Sequence, residues 1–379
     1  MNKKIVALIF CIIIFFGLFN IFSQFFYIDS KISFLEYLKG ELTFSEEIDE
    51  YLKDLYDKVQ IALNKKEIGN FTYYRNTENN GLIRISKEIN EKEVLNRAKK
   101  INKLNKIFKE KGINYIYINI PNEVKDREKF KNIDYGNEQS DLLLENLQST
   151  VHFLDLRKYN EIFELEGNYY KTDHHMNMET TFEAYKIIAN EIQTKYNIDV
   201  SDEYLDINNY RKVEFHNSFL GSKGVNVSEN YIEKEDFMAL LPKYDTDFEY
   251  KRYNTNGEMI IDKKGNFEQV FIDNKILYND NYINKYNAFL YGDRYKAEDI
   301  IINYKAENDK KLLVISNSFG RSLVPYISQN FYETRYIDPQ ENRFEGDVLK
   351  YIEDYNPDMI IMLYDSTNFS SFKYIRLTK

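Results

Sequence analysis

Two apolar segments of strand length flank an amphipathic helix early in the chain, and this succession constrains the fold more than any other feature. The segments Gly81–Ile85 and Ile113–Ile120 are predicted strands, and the second ends at Pro121. Between them, Glu93–Glu110 carries apolar residues on one face and stops before Gly112, a residue that commonly ends helices. Strand, helix and strand in this order predict an α/β body.

The same alternation returns in the rest of the chain. Further helices are predicted at Gln139–Gln148, Met178–Tyr196, Leu323–Phe331 and Asp347–Tyr355, and further strands at Val151–Leu156, Lys311–Ile315 and Met359–Leu363. Residues 201–299 differ, because short alternating segments are separated there by Asn, Asp and Gly. We predict that this stretch is a β-rich insertion, with substrate recognition as its hypothetical role.

The N-terminus carries an apolar run over Ile5–Phe19 that continues with few polar residues to Ile28. Its length of roughly twenty residues is what a helix needs to cross a membrane. Lys3 and Lys4 precede the run, so the positive-inside rule places the N-terminus in the cytoplasm and the rest of the chain outside. We predict a single-pass membrane anchor over residues 1–30. A cleaved signal peptide is the alternative, but phenylalanines crowd the region where a peptidase expects small residues.

A charged, amphipathic stretch follows the apolar run. The apolar residues of Phe34–Lys66 recur at roughly helical spacing, which predicts a helical stalk or membrane-proximal collar over residues 31–80. A helix packed on the main domain explains the pattern equally well. The main domain is then expected over residues 81–379, with the β-rich insertion inside it.

Composition excludes several classes of function. The single cysteine, Cys11, falls in the predicted anchor, so the outer body can hold neither a disulfide nor a thiolate-bound metal. The formal net charge is −10, and no basic stretch interleaves with aromatic residues, which argues against nucleic acid. Asp, Glu and His do not recur at metal-ligand spacing, and neither a dinucleotide nor a phosphate-loop motif occurs. We therefore expect no metal and no cofactor.

The chain has few candidates for acid-base chemistry near neutral pH. Of its four histidines, one is predicted in a surface loop, one at the start of a strand, and two are adjacent: His216, His152, His174 and His175. In an extended segment Asp173 and His175 share a face, and a carboxylate beside an imidazole fixes the tautomer that a general base needs. The alternative is that both adjacent histidines are polar loop residues before a helix capped by Asn177.

A second stretch could supply a nucleophile. The apolar strand from Lys311 breaks at Ser316-Asn317-Ser318-Phe319-Gly320 into a turn, and a helix with Pro325 in its first turn follows. A serine at such a turn lies near a helix N-terminus, where free N–H groups can stabilise an oxyanion. Together the two stretches offer a nucleophile and a base with its orienting acid.

These residues carry a resemblance to a known family. Asp173-His174-His175 before a helix, with Asn317-Ser318-Phe319-Gly320 well downstream, resembles the DHHW family, relatives of the alginate O-acetyltransferase proteins. The similarity spans about Gly81 to the C-terminus. Supporting segments occur in the order that the family shows: Ile120-Pro121-Asn122, Asp155-Leu156-Arg157, Phe219-Leu220-Gly221-Ser222 and Met359–Leu363.

The resemblance implies both a fold and a triad. The fold is an SGNH-hydrolase-like three-layer α/β domain with a parallel sheet, and the triad maps onto Asp173, His175 and Ser318. Met176 stands where the family has Trp, and Asn317 replaces the Asp of the more usual Gly-Asp-Ser. Neither change removes a triad member.

The remaining site residues are weaker candidates. The Ser318 N–H is the natural first donor to an oxyanion, and further oxyanion or substrate contacts are expected from Asn317, Gly221, Asn368, His174 and Arg321.

The resemblance also implies an activity. We expect an extracytoplasmic O-acetyltransferase, or an acetylesterase, that acts on a cell-surface or secreted polysaccharide through an acyl-serine. A membrane-bound O-acyltransferase that exports acetyl groups is its implied partner. The alternative is an envelope- or polysaccharide-binding protein whose SGNH-like domain has lost activity, with tyrosines that stack on sugars.

Overall fold

The computed structural model describes only part of the chain, and every structural statement below concerns that part: residues 57–68, 73–76, 81–124, 127–159, 162, 167–227, 231–292, 298–339, 348–365 and 375. The predicted anchor and most of the predicted stalk lie outside these residues. Within them, no helix combines the length and apolar character needed to cross a bilayer. The described residues from Gln60 onward belong to one structural unit.

The elements follow one another in an order dominated by β-strands in the middle of the chain. The strands are β1 (Glu67–Ile68), β2 (Tyr73–Asn76), β3 (Gly81–Arg84), β4 (Asn114–Ile120), β5 (Phe153–Asp155), β6 (Tyr210–Phe219), β7 (Glu235–Pro242), β8 (Phe248–Tyr253), β9 (Met259–Gly265), β10 (Glu298–Asn303), β11 (Lys311–Ser316), β12 (Glu333–Ile337) and β13 (Met359–Asp365). The helices are α1 (Glu91–Glu110), α2 (Gly136–Glu145), α3 (Met178–Tyr196), α4 (Asp202–Leu205), α5 (Ser222–Val227), α6 (Phe267–Phe271), α7 (Asn274–Leu277), α8 (Gly320–Ile327) and α9 (Val348–Tyr355).

A mixed sheet of eight strands in the order β5-β4-β13-β11-β12-β10-β8-β9 forms the centre of the fold. The first five strands of this order are parallel, and β10, β8 and β9 continue the sheet in antiparallel pairs. The predicted parallel sheet is therefore correct for one half only. Two smaller antiparallel sheets pair β1-β2-β3 and β6-β7.

Helices cover both faces of the parallel half. Strands β4, β11 and β13 send alternate side chains to opposite faces, as the period of a strand requires. One set packs with α1 and α9, and the other packs with α3 and α8. Because apolar side chains leave water on both faces, these strands are continuous apolar runs, and the result is a three-layer α/β domain.

The predicted β-rich stretch, residues 201–299, contains four complete strands that belong to two different sheets. Strands β6 and β7 pair with each other, whereas β8 and β9 extend the large sheet next to β10. In the described part of the predicted collar, residues 57–62 are helical, whereas β1 and β2 are strands. The helix predicted from Leu323 begins at Gly320, so Pro325 lies inside it and not in its first turn.

Candidate active site

The loop that carries the two adjacent histidines is fixed to the carboxyl edge of the parallel strands. An antiparallel bridge between Tyr169 and Met176 closes the loop. The Tyr169 hydroxyl donates a 2.5 Å hydrogen bond to the carbonyl of Pro121, directly after β4. Asn177 then caps α3 by accepting a hydrogen bond from the Thr180 N–H at 2.8 Å. The loop therefore lies at the sheet edge where ligands of α/β folds usually bind.

The turn after β11 brings Ser318 to the same edge. The Asn317 side-chain oxygen accepts a hydrogen bond from the Phe319 N–H at 3.2 Å. The Asn317 carbonyl accepts one from the Tyr336 hydroxyl at 2.5 Å and another from the Gly320 N–H at 3.0 Å. These bonds hold the turn between strand and helix, and Ser318 occupies its centre.

The structure brings the three predicted triad residues into hydrogen-bond contact. His175 Nε2 lies 2.9 Å from Ser318 Oγ, and His175 Nδ1 lies 2.5 Å from Asp173 Oδ1. Asp173 is 1% exposed and His175 is 5% exposed, so water competes little for these bonds. The arrangement has the geometry of a nucleophile, a general base and an orienting acid.

The charge states of the pair suit this arrangement. Burial alone would raise the pKa of the Asp173 carboxyl, but the neighbouring His175 and backbone hydrogen bonds outweigh burial and hold this pKa well below its usual range. The same burial lowers the pKa of His175, and the attraction of Asp173 offsets this only in part. At neutral pH an ionised carboxylate therefore faces a neutral imidazole, whose Nδ1–H donates to Asp173 and whose Nε2 accepts from Ser318.

Ser222 completes the hydrogen bonding of Asp173. Its N–H donates to Asp173 Oδ2 at 2.7 Å, and the His175 N–H donates to Asp173 Oδ1 at 3.0 Å. The Ser222 hydroxyl also bonds His174 Nδ1 at 2.8 Å. In the sequence, Ser222 was noted only as part of the segment Phe219-Leu220-Gly221-Ser222. No local pattern indicated that its backbone N–H would reach the Asp173 carboxylate.

Gly221 has a different role from the one predicted. Its N–H donates to Thr172 Oγ1 at 2.9 Å, so this N–H is engaged away from an oxyanion. A Cβ at Gly221 would lie only 2.2 Å from the Cβ of Asp173. The glycine therefore allows α5 to approach Asp173 closely enough for the Ser222 N–H to bond it.

The other predicted contacts divide between the cleft and the interior. His174 lines a cleft beside the triad together with Arg84, Tyr169 and Phe319. Burial and the neighbouring His175 hold its pKa well below the usual range, so its ring is neutral at neutral pH. In contrast, Arg321 is buried, and its guanidinium donates to Asn287 Oδ1 at 2.8 Å.

The two remaining predicted contacts are Asn317 and Asn368. The Asn317 side chain is buried within the turn, where its oxygen accepts the hydrogen bond from the Phe319 N–H. Asn368 lies outside the described residues.

The departures from the family pattern leave the triad uninterrupted. Met176 is 2% exposed and packs in the core beneath the loop, where an apolar side chain is suited. Asn317 keeps the hydrogen-bond acceptor that the turn uses.

Three residues with metal-ligating side chains meet at the triad. Ligand atoms of Asp173, His174 and His175 lie within 4.8 Å of one another. Both nitrogens of His175 already take part in hydrogen bonds, and His174 Nδ1 bonds Ser222. A cation would have to replace these bonds, so the residues suit proton transfer better than metal ligation, and the absence of a metal stays a prediction.

The remaining histidines lie outside the triad. His216 is exposed and pairs with Asp236 at 3.0 Å. His152 bonds the Tyr196 hydroxyl and Glu191, each at 2.7 Å. His216 lies on the surface as predicted, but in β6 and not in a loop. His152 directly precedes β5, and its contacts agree with the structural role expected for it.

Tyr286 is a site residue that the sequence did not reveal. Its ring stacks on His175 with centroids 4.0 Å apart and an interplanar angle of 14°. Its hydroxyl donates to the carbonyl of Ser318 at 3.1 Å. It is one of 33 tyrosines in the chain and lies in the segment predicted as an insertion, so no signal distinguished it.

Comparisons with known proteins agree with this fold. No protein-family model and no curated protein sequence matches the chain. Among solved structures, Bacillus cereus PatB1 with a sulfonyl adduct is 23% identical over 79% of this chain and 99% of its own, with a TM-score of 0.65. A second structure of PatB1 gives a TM-score of 0.64 with 23% identity, covering 80% of this chain and 99% of its own.

A DHHW family protein from Eubacterium siraeum DSM 15702 also matches. It is 17% identical over 79% of this chain and 93% of its own, with a TM-score of 0.59. The structural neighbours thus include the family that the sequence resembles, and this chain shares their fold.

Proposed function

We propose that the chain is a serine-dependent O-acetyltransferase, or an acetylesterase, that works through an acyl-serine on Ser318. The observation that carries the proposal is the unbroken chain of hydrogen bonds from Asp173 through His175 to Ser318. A further support is the fold shared with PatB1, a protein that was solved with a sulfonyl adduct, since sulfonyl reagents react with activated nucleophiles.

The first half-reaction forms the acyl-enzyme. Ser318 Oγ attacks the carbonyl carbon of an acetyl donor while His175 Nε2 takes the hydroxyl proton, and Asp173 stabilises the imidazolium that results. The oxyanion lies near the turn before α8, where the Ser318 N–H is the nearest candidate donor. Collapse of the intermediate breaks the bond to the donor oxygen, which leaves with the proton held by His175.

The second half-reaction returns the enzyme to its starting state. An acceptor hydroxyl attacks the acyl-serine while His175 takes its proton, and the released Ser318 oxygen takes that proton back. A sugar hydroxyl as acceptor gives a transferase, and water gives an esterase. We propose a cell-surface or secreted polysaccharide as the acceptor, an extracytoplasmic location, and a membrane-bound acetyl exporter as partner, on the basis of the N-terminal apolar run and the family resemblance.

Hydrolysis of a chromogenic acetyl ester tests the chemistry. The full-length protein, purified in mild detergent, is compared with Ser318→Ala and His175→Ala, and Ser218→Ala serves as the control because its hydroxyl bonds only a backbone carbonyl. Turnover should fall by about three orders of magnitude or more in the two triad variants and stay unchanged in the control.

Labelling and product analysis complete the test. A sulfonyl fluoride should transfer its sulfonyl group, with release of fluoride, to wild type and to Ser218→Ala but not to Ser318→Ala, as the intact mass of each protein will show. Equal background turnover in all proteins, together with no labelling of the wild type, would favour the binding-protein alternative. For an active protein, mass spectrometry of an added acceptor sugar separates transfer from hydrolysis.

A further inference from the structure

We propose that Tyr286 is a positioning residue that holds the base and the nucleophile in register for the proposed acyl transfer, on which this role rests. Tyr286 contacts both partners of the proton transfer: its ring lies against the imidazole of His175, and its hydroxyl bonds the backbone of Ser318. No other residue among those described makes both contacts.

The ring contact restricts the imidazole where the carboxylate does not. The bond from Asp173 fixes Nδ1, but a ring held by one hydrogen bond can still tilt about that bond. The ring of Tyr286 stacks on one face of the imidazole with the ring centroids 4.0 Å apart. The ring of His174 also has its centroid 4.0 Å away, at an interplanar angle of 38°, and the ring of Phe319 approaches edge-on with a centroid distance of 5.0 Å. These three rings surround the imidazole, and the nearly parallel contact of Tyr286 opposes tilting most directly.

The hydroxyl contact acts on the nucleophile. The carbonyl of Ser318 accepts hydrogen bonds from the Tyr286 hydroxyl and from the Arg321 N–H, both at 3.1 Å. The same hydroxyl bonds Ser322 Oγ at 3.1 Å. A shift of Tyr286 would therefore displace both the base and the serine turn. The 2.9 Å contact between His175 Nε2 and Ser318 Oγ depends on the position of each.

The position of Tyr286 separates this role from substrate binding. Tyr286 is 1% exposed, and it lies beneath His175 with the guanidinium of Arg321 5.4 Å from its ring centroid. A buried residue of this kind contacts no substrate. Its loss is therefore expected to lower kcat and to leave KM nearly unchanged.

Two substitutions at this position separate the ring from the hydroxyl. Tyr286→Phe keeps the stacked ring and loses one of the two bonds to the Ser318 carbonyl, so kcat for the chromogenic acetyl ester should fall by about three- to ten-fold. Tyr286→Leu loses both contacts, and kcat should fall by about 100-fold, the effect expected when reacting groups lie about 1 Å out of place.

The pH dependence of kcat/KM distinguishes a positioning role from a merely structural one, because loss of stability alone would not shift its acidic limb. The groups that face His175 are Asp173 and His174 on its own loop, Arg321 on α8, and Asp365 at the end of β13. None of them changes in Tyr286→Leu. Burial lowers the pKa of His175, so water admitted by the smaller side chain should move the acidic limb of kcat/KM to higher pH.

Tyr326 supplies the matched control. It is 0% exposed, and its hydroxyl donates to the Leu240 carbonyl at 2.8 Å, away from the triad. Tyr326→Phe and Tyr326→Leu in the full-length protein should lower thermal stability without a shift of the acidic limb, and the Phe variant should keep kcat within about two-fold of wild type.

The outcomes separate this role from the proposed function. Two results with an active wild type would overturn the role of Tyr286 alone. One is a kcat for Tyr286→Leu within two-fold of the wild-type value. The other is a loss of kcat in Tyr286→Leu no larger than that in Tyr326→Leu, with the acidic limb of kcat/KM at its wild-type pH. A wild type that hydrolyses the ester no faster than Ser318→Ala would overturn the proposed function and this role with it.

Discussion

Gly221→Ala should impair the proposed triad without replacing any of its members. The added Cβ would lie 2.2 Å from Asp173 Cβ and 2.5 Å from Asp173 Oδ2, whereas ordinary van der Waals contact begins at 3.4 Å. Relief requires Asp173, α5 or both to move by about 1 Å, a displacement that costs about 100-fold in rate when it separates reacting groups. Overpacking of this kind also destabilises a fold by about 1–3 kcal/mol. We therefore expect kcat for the acetyl ester to fall about 100-fold, with a measurable loss of thermal stability.

Gly224→Ala is the matched control for this substitution. It lies in α5, the short helix that Gly221 directly precedes. Its added Cβ would meet Leu220 Cδ1 at 2.4 Å and Cγ at 2.8 Å, both in a flexible side chain, and Thr172 Cβ at 3.3 Å. Leu220 can turn aside, so stability should fall slightly and kcat should stay within about three-fold of wild type.

A double-mutant cycle shows whether the effect of Gly221→Ala passes through the carboxylate. In an Asp173→Ala background the substitution should cost little further activity, because the group it displaces is already absent. Full activity of Gly221→Ala, or an equal loss in both backgrounds, would refute the reasoning.

Three further outcomes follow from the site and its surroundings. Burial lowers the pKa of His175, and the base must be neutral to accept a proton. The value of kcat/KM should therefore be constant near neutral pH and fall only below about pH 6.5, the ordinary pKa of histidine. A decrease of kcat/KM that begins above about pH 7 would contradict this. Ser222→Ala keeps the N–H bond to the triad acid and loses only the hydroxyl contact to His174, so the ester assay should show activity within about five-fold of wild type. Lys223→Ala leaves the buried Glu123 carboxylate without its ammonium partner, so the free energy of unfolding measured in urea should fall by about 3–5 kcal/mol. An unfolding free energy close to that of wild type would contradict the expectation.

The elements that the sequence predicted are those whose pattern is local. Strands β4, β11 and β13 are buried on both faces and are therefore continuous apolar runs. Helices α1 and α3 have apolar stripes, and Asn90 and Asn177 cap their first turns by accepting backbone hydrogen bonds.

Strands β10 and β12 escaped prediction because their charges are neutralised by distant residues. In β10, the buried Asp299 pairs with Arg252 of β8 at 2.7 Å. In β12, the guanidinium of Arg335 lies 4.0 Å from the ring centroid of Tyr355 and 3.4 Å from the carboxylate of Glu298 in β10. A charged side chain reads as solvent-facing when its partner is unknown, so the sequence alone could not place these strands inside the sheet.

The residues of the site fall into the same two groups: those that a local sequence pattern indicates and those that depend on distant contacts. Asp173 and His175 were predictable because they share one face of a short segment, and Ser318 because a strand, a turn and a helix meet there. Tyr286 and Ser222 reach the triad only through tertiary packing, and their contacts have no counterpart in local spacing.

The proposed acid, Asp173, and the proposed base, His175, lie two residues apart, whereas Ser318 follows His175 by 143 residues. Because the bridge between Tyr169 and Met176 is local in sequence, we expect the Asp173–His175 pair to form before β11 is in place. Reactivity must wait until β11 has joined its neighbours and delivered the hydroxyl. During refolding, ester turnover should consequently appear late, as a marker that the last parallel strands have docked.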